Sequence, residues 1–337
     1  MSIHIGHHFF GAGNLGDDLM LAGFLRSAPP AWRGRLTCCV PHDRAALAAR
    51  FPEVQWLPYE PGAREQAIRS CAAWLGLGGA PFQSNVSLWF VDHLAEEGRL
   101  CAAAGKPMYF LGVGVQDPAS LELPELQAVI RQARRVWTRD DASADLLADR
   151  IPSVTVASAA DLAHLQLAAL PPPRAEAGRF TAALNFEFSE WPGLADALRA
   201  ADTLAVRERV WAAQEARDLP GAERWLHSRL PESERARWRL QPVETLAAWP
   251  SGEWQLSSRY HGTLIGAWAG SRAVVIGTNA KLRAAAAETG YPLAAGDDPH
   301  PAWTELFGRS RPPDPARLQG RARRAAQACA EFFAAVG

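Results

Sequence analysis

The sequence predicts an α/β protein built as two domains that face each other across a cleft. Three observations lead there. A chain of 337 residues is long enough for two separate cores. Short apolar runs alternate with longer segments whose apolar residues recur at helical spacing, as right-handed crossovers on a parallel sheet require. Finally, Pro171-Pro172-Pro173 interrupts the alternation midway, where neither a helix nor a central strand can continue.

In the first half, strands are expected at 3–9, 35–40, 54–57, 73–76, 107–113, 136–138 and 154–157, with helices between them at 18–26, 44–50, 64–71, 88–104, 123–133 and 142–148. The runs PMYFLGVGV and RAVVIG are apolar throughout, which suits strands buried on both faces. After the prolines, strands are expected at 180–186, 203–207, 254–257 and 273–276, a helical zone near 222–237, and a last helix at 315–335. The domains so defined are 1–170 and 179–312, joined by a linker at 171–178 and followed by a terminal helical segment, 313–337.

Composition narrows the function classes. Net charge is −1, so no basic field points to nucleic acid. Only Lys106 and Lys281 stand against thirty-three arginines, so arginine abundance alone carries little meaning. Five cysteines without disulfide or metal spacing fit a reducing compartment, and Cys38-Cys39 read as small buried hydrophobes. The opening MSIHIGHHFF lacks a secretory pattern and no apolar run approaches a membrane span, so a cytoplasmic protein is expected. Exposed Trp and Arg would suit saccharide stacking or a peripheral contact at the inner membrane face. No cofactor is expected, and no metal, because clustered Asp/His ligand spacing is absent.

The most informative segment is Ser257-Ser258-Arg259-Tyr260-His261-Gly262-Thr263, at a strand-to-helix junction, with Lys281 after the next strand. A helix start offers orphan N–H groups and the positive end of a dipole. Adding Arg259, His261 and Lys281, with the hydroxyls of Ser258 and Thr263, describes a pocket for a small ligand bearing phosphate and carboxylate. A second glycine-rich loop, Gly11-Ala12-Gly13-Asn14-Leu15-Gly16, matches G-x-G-x-x-G. Dinucleotide binding is disfavoured, because Asp17 and Asp18 place two carboxylates where a pyrophosphate would sit. That loop reads instead as an acceptor site: Gly13 and Asn14 contact the acceptor and Asp17 or Asp18 takes a proton from an attacking hydroxyl. Gly79 and Gly114, ending two further strands, let the backbone approach the same ligand. Each of these residues also has a plain structural role open to it: caps for the aspartates, tight turns for the glycines.

Taken together and in order, GAGNLGDD, LGLGGAPF, GVGVQD, VWTRDDAS, Asp161-Leu162-Ala163, SSRYHGTLIGAWAG and VVIGTNAK resemble the polysaccharide pyruvyl transferase family. The resemblance implies a GT-B-like fold of two Rossmann-like domains, donor on the C-terminal one and acceptor on the N-terminal one. It implies transfer of the pyruvyl unit of phosphoenolpyruvate onto two hydroxyls of a sugar, free or lipid-linked, as a cyclic ketal in cell-surface polysaccharide. Arg259 and His261 would then fill the family's Arg-x-His positions, with His261 and Gly262 at the donor and Lys281 as the family's lysine. This chain has Glu187 where the family often has Arg, leaving Arg207 or Arg209 to supply that charge. In this scheme His261 protonates the donor and Asp17 or Asp18 deprotonates the acceptor, or the roles exchange. The alternative is a glycosyltransferase with a nucleotide-sugar donor, its pyrophosphate on Arg259 and Lys281 and its ribose near Glu288 or Asp297.

Overall fold

The computed structural model describes residues 2–6, 10–85, 87–185, 193–215, 218–295, 298 and 301–337. Two all-parallel sheets organise it. The first holds β1 (Ser2–Gly6), β2 (Leu36–Val40), β3 (Val54–Pro58), β4 (Cys71–Leu77), β5 (Met108–Val113), β6 (Ala133–Thr138) and β7 (Val156–Ser158). Their order is β3-β2-β1-β4-β5-β6-β7. Helices α1 (Leu15–Ser27), α2 (Arg44–Arg50), α3 (Pro61–Ser70), α4 (Trp89–Ala103), α5 (Pro124–Gln132) and α6 (Asp141–Arg150) make the crossovers, and α7 (Ala163–Ala169) follows β7.

The second sheet holds β8 (Glu176–Ala183), β9 (Glu208–Ala213), β10 (Trp238–Pro242), β11 (Gly252–Ser257), β12 (Arg272–Ile276) and β13 (Leu293–Ala294), in the order β10-β9-β8-β11-β12-β13. Its helices are α8 (Leu194–Ala200), α9 (Asp218–Arg229), α10 (Glu232–Arg235), α11 (Tyr260–Ala269), α12 (Ala280–Thr289) and α13 (Trp303–Arg309), before the terminal α14 (Pro315–Val336). In each sheet the strand order reverses once, at β1/β4 and at β8/β11. Loops leaving the carboxyl ends of parallel strands diverge at such a point and open a crevice for ligand. Two compact units result: Met1–Ala12, Asp17–Gln166 and Gly320–Gly337 form one, Gly13–Gly16 and Leu167–Gln319 the other. Among the described residues no helix is long and apolar enough to cross a membrane.

Several expected elements move. The strand expected at 203–207 is instead β9, Glu208–Ala213, because Val210, Trp211 and Ala212 are the buried run, whereas Thr203 closes a 3-10 turn with its hydroxyl on the Ala200 carbonyl at 2.7 Å. The helical zone breaks into α9 and α10, and the strand β10 that follows was not foreseen. Residues 7–9 of the first expected strand lie outside the described residues.

Aromatic residues fill both cores. In the first unit Phe110 packs edge-on against Trp74 and Phe82, with ring centroids 5.3 and 5.1 Å away. In the second, Trp211 packs against Trp225 and Trp238, and Phe180 stands edge-on to Trp238. The C-terminal part of α14 is held on the first unit by Phe332, which meets Phe24, Tyr109 and Trp137 with no exposure to solvent. Beside it, Glu331 accepts the Trp137 indole N–H and pairs with Arg135, each at 2.9 Å.

A polar group also lies inside the first unit. Glu97 is fully buried, takes the Trp74 indole N–H at 2.5 Å and lies 3.2 Å from the Arg64 guanidinium. Burial pushes its carboxyl up to about 7, against the pull of Trp74 and Arg64. Burial, with help from Arg64, lowers His4 to about 4.

Two outcomes follow from this packing. Phe332→Ala should cost about 3–5 kcal/mol of unfolding free energy by leaving a cavity under α14; a denaturant midpoint close to wild type would mean that the helix is not anchored there. For pH, Glu97 has a raised folded value, so its contribution is present below about 4.5 and is lost as pH rises through about 7. His4 has a depressed folded value, so its contribution is present above about 6.5 and is lost as pH falls toward about 4. The two slopes oppose each other in the wild type. Glu97→Gln removes one, so its stability should climb more steeply than wild type between about pH 4.5 and 6.5. Parallel stability profiles would mean that Glu97 is already ionised in the fold.

Candidate functional site

The second sheet gathers polar side chains at its carboxyl edge, at the β8/β11 reversal. The backbone leaves β11 through Ser257 and Ser258, and Arg259 caps α11 with extended dihedrals and no side-chain cap bond. Hydroxyls hold the turn. Ser257 Oγ donates to the Arg259 carbonyl at 2.9 Å, and Thr263 Oγ1 reaches the same carbonyl at 3.0 Å. Ser258 Oγ donates to Asn185 Oδ1 at 3.2 Å and accepts from the Asn185 N–H at 3.0 Å, tying the ends of β8 and β11 together. Gly262 is small because a Cβ there would meet Gln214 Nε2 at 2.8 Å.

Arg259 does not stand as an open cation. Its Nη1 lies 2.5 Å from Glu215 Oε1 and its Nη2 pairs with Asp218 Oδ1, with the guanidinium mostly buried. Burial raises the Asp218 carboxyl, against the pull of Arg259. Glu215 Oε1 also accepts Asn14 Nδ2 at 3.1 Å, and Leu15 N–H donates to the Gln214 carbonyl. The loop 13–16 therefore belongs to this cluster. Gly16 sits so close to His261 that a methyl group on it would collide with the imidazole Nδ1 and Cγ. His261 is buried and stands edge-on to Tyr260.

The structure thus brings Gly13, Asn14, Ser258, Arg259, His261, Gly262 and Thr263 into one neighbourhood of the second unit. Lys281 lies in the first turn of α12, after β12, on the same sheet edge; Asn279 caps that helix through the Leu282 N–H. The other expected residues fall in the first unit. Asp18 is 3% exposed, and its Oδ2 lies 2.5 Å from Arg50 Nη1, joining α1 to α2; burial raises its carboxyl against that pairing. Asp17 is the less buried of the two. Gly79 has positive φ and its N–H points to Met20 Sδ, while Gly114 leaves room for the buried Arg139.

Arg207 and Arg209 cannot supply a site charge. They lie at the amino end of β9, where Arg207 bonds the Ala177 carbonyl and Arg209 pairs with Asp202. Glu288 is buried in α12, and Asp297, like Glu187, His7 and His8, lies outside the described residues. Glu215 and Asp218 were missed. The signal was available in principle, as both acids follow within five residues of a buried strand at the carboxyl edge of the sheet. Among the described residues no group of three His, Cys, Asp or Glu side chains is placed to hold a metal ion.

No family model matches the chain, and no curated protein matches it. Solved structures do. Anabaena HepE in complex with UDP superposes with a TM-score of 0.62 at 10% identity, covering 99% of this chain and 100% of that one. UDP-GlcNAc 2-epimerase from Methanocaldococcus jannaschii gives 0.60 at 10% identity, covering 98% and 99%. A Thermobaculum terrenum O-GlcNAc transferase mutant gives 0.55 at 12%, covering 99% of this chain and 66% of that one. The fold is GT-B-like.

Membership of the polysaccharide pyruvyl transferases, expected from the ordered motifs, is corrected by these findings: no family model supports it, and the structural likeness is to HepE, the epimerase and the O-GlcNAc transferase. The geometry agrees, because Glu215 and Asp218 already occupy Arg259, where a trianion such as phosphoenolpyruvate would have met two carboxylates.

Gly16→Ala tests the closeness of the loop to His261. It should displace the imidazole and lower the unfolding temperature clearly. Gly13→Ala meets no atom within 4 Å and should cost only about 1 kcal/mol for its positive φ. Equal effects of the two variants, read by thermal unfolding, would contradict this placement.

Proposed function

We propose that the protein is a GT-B glycosyltransferase that moves a sugar from a nucleotide-sugar donor, a UDP-sugar first among candidates, to a saccharide acceptor in cell-surface glycan synthesis. The observation that carries this reading is the start of α11 at the β8/β11 reversal, where the positive end of the helix dipole, His261 and the Glu215–Asp218–Arg259 cluster meet. The likeness to HepE with UDP and to HepE with UDP-glucose supports the choice of nucleotide.

In this reading residues 179–312 take the donor and residues 1–170 the acceptor, across the 171–178 segment, with 313–337 as a terminal helical extension. The diphosphate rests on the first-turn amides of α11, with Ser258, Thr263 and Lys281 in support. Glu215 accepts hydrogen bonds from hydroxyl groups of the nucleotide or sugar, and the buried Asp218 with Arg259 holds it in place. Transfer breaks the bond between the anomeric carbon and the phosphate oxygen and forms the glycosidic bond, and the acceptor hydroxyl's proton passes to a base. His261 is the proposed proton-transfer group. Of the two aspartates, Asp17 remains the acceptor-side candidate, together with Gly79 and Gly114 at the strand ends, because it is the more exposed of the two.

Isothermal titration with UDP, UDP-glucose, UDP-N-acetylglucosamine and GDP- and CMP-sugars tests the donor. At least one nucleotide sugar should bind, and Arg259→Ala should weaken it by about 10-fold or more by freeing two carboxylates. A response to phosphoenolpyruvate and to no nucleotide would overturn the reading. His261→Asn should lower kcat by about 10²–10⁴ while donor affinity changes little; an unchanged kcat removes the imidazole from the chemistry.

A further inference from the structure

The first unit contains a cavity that the donor site does not use. It lies at the carboxyl ends of β1, β2 and β3, beside Gly6, Pro41 and Tyr59, and is closed by Arg64 of α3 and by Trp89, His93 and Glu97 of α4. Its volume is about 40 Å³, whereas one water needs only about 10–15 Å³.

The lining is mainly apolar, with a few polar groups below and aromatic rings at the rim. Glu97 lies fully buried behind the floor, fixed by Trp74, and holds Arg64 in place. Arg64 also pairs with Glu96 at 2.5 Å and donates to the Tyr59 hydroxyl at 3.2 Å, which in turn meets His93 Nδ1 at 3.1 Å. At the rim Trp89 lies flat on His93, with centroids 4.7 Å apart and planes 8° from parallel, and is 38% exposed. Buried charges of this kind add little stability that apolar side chains of equal size would not provide. Here they surround a space under a stacked indole, an arrangement that offers hydrogen bonds below and an apolar face above.

Charge decides the ligand class. Arg64 faces two carboxylates, so the recess has no net positive field for a phosphate or nucleotide. A neutral ring with one apolar face and a hydroxyl rim matches both surfaces. We infer that this recess is a saccharide subsite, in which a pyranose ring lies against Trp89 outside and directs one hydroxyl or hydroxymethyl group into the recess toward Arg64 and Tyr59. The inference deepens the proposed function by giving the acceptor a seat, and it rests on that reading for the saccharide's role as acceptor.

Saturation-transfer NMR on the whole chain tests it, with methyl glycosides of glucose, galactose, mannose and N-acetylglucosamine at up to about 50 mM, enough to reveal a Kd of a few mM. UDP binding is measured on the same samples by calorimetry. At least one glycoside should bind the wild type, and Trp89→Ala should weaken it by about 10-fold or more with UDP affinity unchanged. Glu97→Gln, which keeps an acceptor oxygen for Trp74 but loosens Arg64, should also weaken the glycoside without changing UDP. A wild type that binds none of the glycosides overturns the inference, as does equal binding by both variants. If glycosides behave as expected but no nucleotide binds, the donor assignment falls and the subsite stands.

Discussion

The second unit's site depends on one buried ion cluster, Arg259 between Glu215 and Asp218. Three chain segments meet in it: the turn after β9, the cap of α11 and, through Asn14, the loop at 13–16. Each carboxylate limits where the guanidinium can go, and the guanidinium in turn keeps two acids close together that would otherwise repel. Removing one partner of a buried set leaves an uncompensated charge, typically worth about 3–5 kcal/mol. The hydroxyl bonds of Ser257, Ser258 and Thr263 fix the backbone of the same turn, so the side chains and the peptide groups share one geometry.

That geometry explains why glycine is needed where it is. Gly16 has no conformational need for a missing Cβ; it is small because His261 fills the space beside it. Gly262 is small because Gln214 approaches it, and Gly114 because Arg139 does. In each case the glycine makes room for a polar side chain next to the backbone. The glycines at strand ends, read at first as room for ligand, are here also room for the protein's own functional groups.

Much of the architecture was legible in the sequence. Helix α2 begins and ends at the expected residues because Asp43 caps it by accepting from Ala45 and Ala46, a purely local interaction. The start of α11 was legible for the same reason: a buried strand, two serines and a helix-period run follow one another. What failed was non-local. The strand β9 was placed too early because Thr203 and Val206 have strand character, whereas burial beside β8 selects Val210 and Trp211. Arg259 was read as an anion ligand because its local surroundings are a helix start. Its partners Glu215 and Asp218 lie about forty residues earlier, and only the sheet order brings them there. The Trp89–His93–Glu97 face was invisible for a further reason: on α4 its members are spaced like core residues, and only the cavity beside them sets them apart.

The two units repeat one electrostatic arrangement. Arg64 lies between Glu96 and Glu97, and Arg259 between Glu215 and Asp218. In both, a guanidinium with fixed donors is outnumbered by carboxylates with fixed acceptor oxygens, so neither group presents a positive field. A site built to capture a compact polyanion would do the opposite and leave its arginine uncompensated. Oriented acceptors without net positive charge suit hydroxyl groups, which donate one hydrogen bond each and carry no charge. Under the proposed function the diphosphate is then the only strongly charged part of the ligand. It must be met by groups other than the paired Arg259, and the start of α11, whose first turn carries no acidic residue of its own, is the place in the second unit that offers them. The donor site would therefore divide its work by chemistry: backbone for the phosphates, Glu215 for the hydroxyls, and Arg259 with Asp218 to hold that carboxylate still.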